Sequence, residues 1–237
     1  MKFDYKKSED HYKKYYSTSG SNNLRQYPNE ELCRFMGREF FKYNRNERSK
    51  IKILELGFGC CTNLWMIAKE GFQAYGIDFS EDAINLSKNI LNKHKVEVDI
   101  KTGNICELPY NENEFDAVID VFTSYCLIEK DFLRALDEIY RVLKIGGKFF
   151  SYTPSTNSDA FLNHMSKKID DYTLDGIKRK TSPFYGNDYP FRFISPERYV
   201  ELLNNFNFEV TYLETLTRTY NKLKENFQFV IIVGKKK

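Results

Sequence analysis

The chain has little of what several large functional classes require. Its 237 residues include five cysteines, Cys33, Cys60, Cys61, Cys106 and Cys126, and no CxxC pair. An odd count without that spacing, and without an export signal, points to reduced thiols rather than a disulfide framework. The three histidines, His11, His94 and His164, are scattered, with no HExxH and no clustered carboxylates, so no metal site is expected. No apolar run is longer than Phe229-Val230-Ile231-Ile232-Val233, far short of the roughly 20 residues of a membrane helix. The opening Met1-Lys2-Phe3-Asp4-Tyr5-Lys6-Lys7 has no apolar stretch that would serve as a signal peptide. A cytoplasmic location without membrane association is therefore expected. Charge of one sign is also missing, because 36 basic and 33 acidic residues leave a net charge of +3. A dedicated nucleic-acid binder needs basic residues in excess to neutralise phosphates, so no nucleic-acid partner is expected. No internal repeat and no proline-rich linker divides the chain.

What is present is ample core material: 41% of the residues are hydrophobic, with 20 Phe and 17 Tyr. Residues 29–43 follow Pro28 with Leu32, Phe35, Met36 and Phe40 at helical spacing. Strand and helix patterns then alternate. Strands are expected at 51–56, 73–78, 96–101, 115–121 and 148–153, with helices at 62–70, 81–92 and 130–143 between them. Such alternation with right-handed crossovers builds a parallel sheet. After a helix at 196–205, segments 208–217 and 226–233 are joined by a turn short enough for an antiparallel pair. The expected fold is α/β, a doubly wound, mostly parallel sheet with helices on both faces and a last strand running against the others. One domain spans 1–237, with 1–45 as an N-terminal cover and helix. The stretch 154–196 is too long for a plain connection and reads as a substrate cap. Lys235-Lys236-Lys237 reads as a solvated end.

In a doubly wound sheet, ligands sit beyond the carboxyl ends of the strands. The first such end is Glu55-Leu56-Gly57-Phe58-Gly59-Cys60-Cys61-Thr62, whose glycines permit tight turning and close approach of a ligand. The second is Gly76-Ile77-Asp78-Phe79, where a carboxylate can accept both hydroxyls of a ribose. The third is Gly103-Asn104-Ile105 before Leu108-Pro109, where an amide and a backbone N–H can read an adenine edge while Ile105 packs its face. Each element alone is an ordinary turn or strand end; their conjunction in register is specific.

With Phe115-Asp116-Ala117-Val118 and Leu143-Lys144 before Gly146-Gly147, these motifs make the sequence resemble the class I S-adenosylmethionine-dependent methyltransferases, small-molecule type. The resemblance covers about residues 50–153, and the antiparallel ending extends it. It implies a seven-stranded sheet and S-adenosyl-L-methionine as cofactor. Donor contacts are implied from Glu55, Gly57 and Gly59, ribose contacts from Asp78 beside Phe79, and adenine contacts from Asn104 and Ile105. Cys61 stands where many members have a third glycine, and Asn104 where many have aspartate. A nicotinamide-dependent oxidoreductase is the alternative within nucleotide-binding folds, but its G-x-G-x-x-G fingerprint needs glycine at Thr62. A donor-binding protein without catalysis is the alternative of another class.

The acceptor is expected to be small and polar, with a sugar or sugar-nucleotide leading. That expectation rests on the resemblance to small-molecule members and on the run from Phe184 to Phe193, whose rings and polar tips suit a polar ring. Adenine-N6 DNA methyltransferases carry an Asp/Asn-Pro-Pro-Tyr/Phe motif after the fourth strand, which this chain lacks. Its segment there reads Asp120-Val121-Phe122-Thr123-Ser124-Tyr125. Asp120 would face the methionine portion of the donor or serve as a buried structural carboxylate. Tyr125 would line the acceptor site or pack. His164, in the expected cap, is the candidate general base, against the plainer reading of a surface histidine. Tyr16 and Arg25 would fold over the donor, with Arg25 pairing its carboxylate, unless this segment is a frayed tail.

Overall fold

The computed structural model describes residues 7, 8, 10–12, 14 and 25–237. Five strands follow in parallel pairing: β1 (Lys52–Leu56), β2 (Gln73–Asp78), β3 (Asp99–Thr102), β4 (Phe115–Val121) and β5 (Leu143–Pro154). Two long strands, β8 (Phe208–Tyr220) and β9 (Glu225–Lys236), complete a seven-stranded sheet in the order β3-β2-β1-β4-β5-β9-β8. Strand β9 pairs antiparallel with β5 on one side and β8 on the other. The last strand thus runs against the rest, as expected, and it lies between two neighbours rather than at the edge.

Both faces of the central strands are covered, which is why they read as apolar runs. Side chains alternate between the two sides. Ile53, Ala117, Ile119 and Phe150 pack with Leu32, Phe35 and Met36 of helix α1 (Glu30–Glu39). Leu54, Leu56, Val118 and Phe149 pack on the other side with Phe132, Leu136 and Ile139 of the helix at Glu129–Val142. Tyr199 and Leu203 of the helix at Pro196–Asn205 extend this second layer.

Boundaries move where local hydrogen bonding intervenes. The helix expected over 29–43 stops at Glu39, and Arg48 satisfies the carbonyls beyond it, donating to those of Phe41 and Tyr43 at 2.8 Å each. The third strand begins at Asp99 rather than at 96, because Lys95 caps the preceding helix in a left-handed conformation (φ 55°). Between 154 and 196 lie a helical turn (Asp159–Leu162) and a two-stranded antiparallel sheet, β6 (Thr173–Asp175) with β7 (Pro190–Arg192). Among the described residues, no helix is long and apolar enough to cross a membrane.

Lys236 departs from the expectation of a solvated end. Its side chain is buried against the β4–β5 corner, and Nζ donates to the carbonyls of Tyr140 (2.7 Å) and Leu143 (2.8 Å) and to Asn113 Oδ1 (3.0 Å). The ammonium therefore closes a helix end that would otherwise leave carbonyls unpaired. Lys236→Ala is expected to lower unfolding free energy by about 2–3 kcal/mol, the scale of hydrogen bonds from a charged donor. Lys237→Ala, at an exposed neighbour, should stay within about 0.5 kcal/mol; urea unfolding of both variants checks the contrast.

Candidate functional site

The strand order switches between β1 and β4, and a cleft opens there beyond the carboxyl ends of β1, β2 and β3. Gly57, Asp78, Phe79, Gly103, Asn104 and Ile105 form one wall. Phe122, Thr123, Cys126 and Leu127, from the loop after β4, form the other. Ser8 and Tyr12, from helical residues near the N-terminus, close one side. The open cleft encloses about 780 Å3, solvent-filled mouth included.

The glycine loop owes its shape to two left-handed turns, Gly57 at φ +61° and Gly59 at φ +53°. A Cβ on Gly57 would sit 2.3 Å from Thr123 Cγ2, so only glycine lets the loop after β4 come this close. Cys61, where the resemblance implies a third glycine, adopts the left-handed conformation at φ +59° and is fully buried. A side chain there is tolerated at a cost of roughly 1–2 kcal/mol.

Asp78 ties the loop to the second strand. Its Oδ2 accepts the N–H of Gly59 and its Oδ1 the N–H of Ser80, each at 3.0 Å. Burial pushes the Asp78 carboxyl up in pKa, and these N–H groups oppose that shift. A carboxylate has about four acceptor positions, so each oxygen retains capacity toward the cleft. Asn104 accepts the Cys106 N–H at 2.9 Å through Oδ1, an Asx turn that aims the Asn104–Ile105 segment at the cleft.

Glu55 lies below the glycine loop. Its Oε1 accepts from Asn63 Nδ2, while Oε2 is buried without a partner. Burial pushes its pKa up to about 8. Arg25 reaches the same corner and donates to Thr62 Oγ1 and Asn63 Oδ1, each at 3.0 Å from Nη2. The residue expected to pair a donor carboxylate is thus held at the end of the glycine loop by the threonine that interrupts the dinucleotide fingerprint.

Other expected residues lie elsewhere. Asp120 is fully buried beneath the loop after β4 rather than in the cleft lining. Its Oδ1 accepts the N–H groups of Thr123 (3.0 Å) and Ser124 (3.1 Å), and its Oδ2 accepts the hydroxyls of Ser124 and Ser151. It shapes the loop that presents Thr123, whose Oγ1 donates to the Leu56 carbonyl at 2.8 Å. Tyr125 is buried behind the cleft, its hydroxyl 2.8 Å from that of Tyr12 and 2.7 Å from that of Tyr189. His164 sits in the turn after Asp159–Leu162, its Nδ1 2.8 Å from the Ser166 carbonyl, and does not line the cleft. Tyr16 falls outside the described residues. Among the described residues, no group of three or more metal-ligating side chains converges.

The aromatic run 184–193 supports the interior more than a binding wall. Tyr189, Phe191 and Phe193 are buried, and Phe184 packs between Phe122 and Phe227 at ring distances of 5.5 and 4.9 Å. The cleft residues that sequence reasoning missed are Ser8, Tyr12, Phe122, Thr123, Cys126 and Leu127. Only Thr123 left a trace, as the third residue after an aspartate at a strand end, the spacing of a side-chain-capped turn.

The Glu55 shift has a signed consequence. With its folded pKa near 8, above its ordinary 4.5, the native state holds more protons than the unfolded chain between these values. This group's contribution is therefore present below about pH 4.5 and lost as pH rises through about 8. Glu55→Gln should remove that loss, so its stability relative to the native sequence should climb from pH 5 to pH 9 in urea unfolding without ligand.

A family profile described as a methyltransferase domain matches residues 53–147. A demethylmenaquinone methyltransferase of Bacillus mycoides is 36% identical over 96 residues, which are 38% of this chain and 40% of that relative. The matched region thus spans well under half the length of that curated relative. A solved S-adenosylmethionine-dependent methyltransferase of Methanosarcina mazei superposes with a TM-score of 0.66 at 20% identity, covering 79% of this chain and 93% of that one. The 1,6-didemethyltoxoflavin-N1-methyltransferase of Burkholderia thailandensis, solved with S-adenosylhomocysteine, gives 0.58 at 14% identity, covering 85% and 83%. Residues 53–147 thus match a methyltransferase-domain family, and the chain shares the fold of solved S-adenosylmethionine-dependent methyltransferases.

Proposed function

We propose that the chain binds S-adenosylmethionine in this cleft and serves the transfer of its methyl group to a small-molecule acceptor. The observation that carries the reading is Asp78, a buried carboxylate with spare acceptor capacity at the rim of a glycine loop that a single Cβ would block. The residues present fit the donor. Asp78 suits ribose hydroxyls, Phe79 and Ile105 offer apolar contact to a nucleoside, and Asn104 offers an amide to a base edge. The Arg25 guanidinium, held at the end of the glycine loop, suits the carboxylate of the donor's amino-acid end, and the unpartnered Oε2 of Glu55 leaves an acceptor for its ammonium.

When bound, the donor supplies a methyl group already activated on a sulfonium. The chain's own task is then alignment and exclusion of water. Gly57 and Thr123 bring the two walls together, and Asp120 holds Thr123 in place from below. Burial pushes the pKa of Tyr12 well up, so at neutral pH this phenol offers a hydroxyl rather than a base. An acceptor whose nucleophile is a neutral amine, or ionises by itself, suits such a lining.

A sugar or sugar-nucleotide acceptor rested on the 184–193 rings, and the burial of most of them weakens that support. The apolar Phe122, Cys126 and Leu127 side of the cleft favours a flat, largely apolar ring as a second reading. Two similar proteins are themselves named for small molecules, demethylmenaquinone and 1,6-didemethyltoxoflavin.

Asp78→Asn is expected to weaken S-adenosylhomocysteine binding by roughly 100-fold, the scale of two hydrogen bonds to a charged acceptor. Calorimetric titration reads this loss, and an unchanged affinity would contradict the ribose assignment. Labelled-methyl transfer onto a panel of aromatic quinols, ring amines and nucleotide-linked sugars separates the acceptor classes. Turnover of the first two groups supports the apolar-ring reading; turnover of the sugars alone restores the other.

A further inference from the structure

Near the N-terminus, Ser8 lines the cleft with a buried hydroxyl for which no described residue provides a partner. Ser8 is 2% exposed, lines the cleft with Asp78 and Phe79, and its Oγ makes no hydrogen bond. Leaving a buried hydroxyl unpaired is unfavourable, so one kept beside an open cleft suits a polar ligand atom.

Ser8 is also held in place. Tyr12, one helical turn on and on the same face, has its hydroxyl 2.8 Å from that of Tyr125 and 3.3 Å from that of Tyr189. Its ring stands edge-on to Phe79 at 6.1 Å. Lys7 pairs with Asp175 at 3.2 Å, and His11 Nδ1 lies 3.4 Å from Asp188 Oδ1. Three phenols and two polar contacts thus dock these residues on the 173–189 region and on the loop after β4. The outer polar contacts are weak in water; the buried phenols fix the position.

We propose that Ser8 is a positioning residue for the methyl donor, its hydroxyl completing a hydrogen bond to the nucleoside half held by Asp78, Phe79 and Asn104. This rests on the donor reading above. The N-terminal helical residues then form part of the donor site, and docking through Tyr12, Tyr125 and Tyr189 sets donor affinity.

The test is Ser8→Ala in the full chain, with two readouts of opposite expected sign. Calorimetric titration with S-adenosylhomocysteine should show affinity about 3- to 10-fold weaker than the native sequence, the loss of one neutral hydrogen bond. Thermal unfolding without ligand should show a melting temperature equal to or above the native one, because an unpaired buried hydroxyl has been removed. Equal affinity in the two proteins would overturn the assignment. A fall in ligand-free melting temperature that accompanies weaker binding would overturn it too, by giving Ser8 a structural role. If the native protein itself takes up no S-adenosylhomocysteine, the donor reading fails instead.

Discussion

One carboxylate makes the cleft a single object. Asp78 ends the second strand, yet its two oxygens are bound by the N–H of Gly59, from the loop after the first strand, and by that of Ser80, at the start of the next helix. The loop after the first strand, 19 residues earlier, and the turn into the next helix therefore share one acceptor. The interaction is charge-assisted and shielded from water, so it is stronger than the same contact at the surface. Because it takes up only part of the carboxylate's acceptor capacity, a group that shapes the empty loop can still receive a ligand. The structural role and the proposed binding role converge on the same side chain.

A second buried carboxylate does the corresponding work across the cleft. Asp120 turns the chain after the fourth strand by accepting two successive backbone N–H groups and two hydroxyls. That turn places Thr123 where only a glycine can face it. The two walls are thus matched by sterics at Gly57 and by electrostatics at Asp78 and Asp120. Glu55, buried with one oxygen unpaired, is the unmatched member of the acidic set, and its protonation is the local relief of that mismatch.

Much of this was legible in the sequence because the relevant forces are local or periodic. Strands β1, β2 and β4 lie in the middle of the sheet with both faces covered, so their apolar runs mark them. The helix at Pro196–Asn205 begins where Ser195 caps it and proline follows. The glycines, Asp78 and Asn104 stand out because a ligand site at strand ends needs those residue types. The rest depends on contacts that no window displays. Lys236 is buried only because a helix end some 93 residues earlier in the chain presents its carbonyls. Asp120 could not be separated from a ligand contact until its four partners were in view. The rings of 184–193 are polar-aromatic in sequence, but β6–β7 pairing turns most of them inward. Ser8 and Tyr12 sit in a segment without apolar periodicity, and their place in the cleft comes from three tyrosines meeting across 177 residues.

The account stands on a nucleoside being gripped at Asp78. A crystal structure of the protein with S-adenosylhomocysteine tests this most directly. The account predicts both ribose hydroxyls within hydrogen-bonding distance of the Asp78 carboxylate and the base between the Phe79 and Ile105 side chains. A ligand bound elsewhere, or a ribose turned away from Asp78, would contradict it.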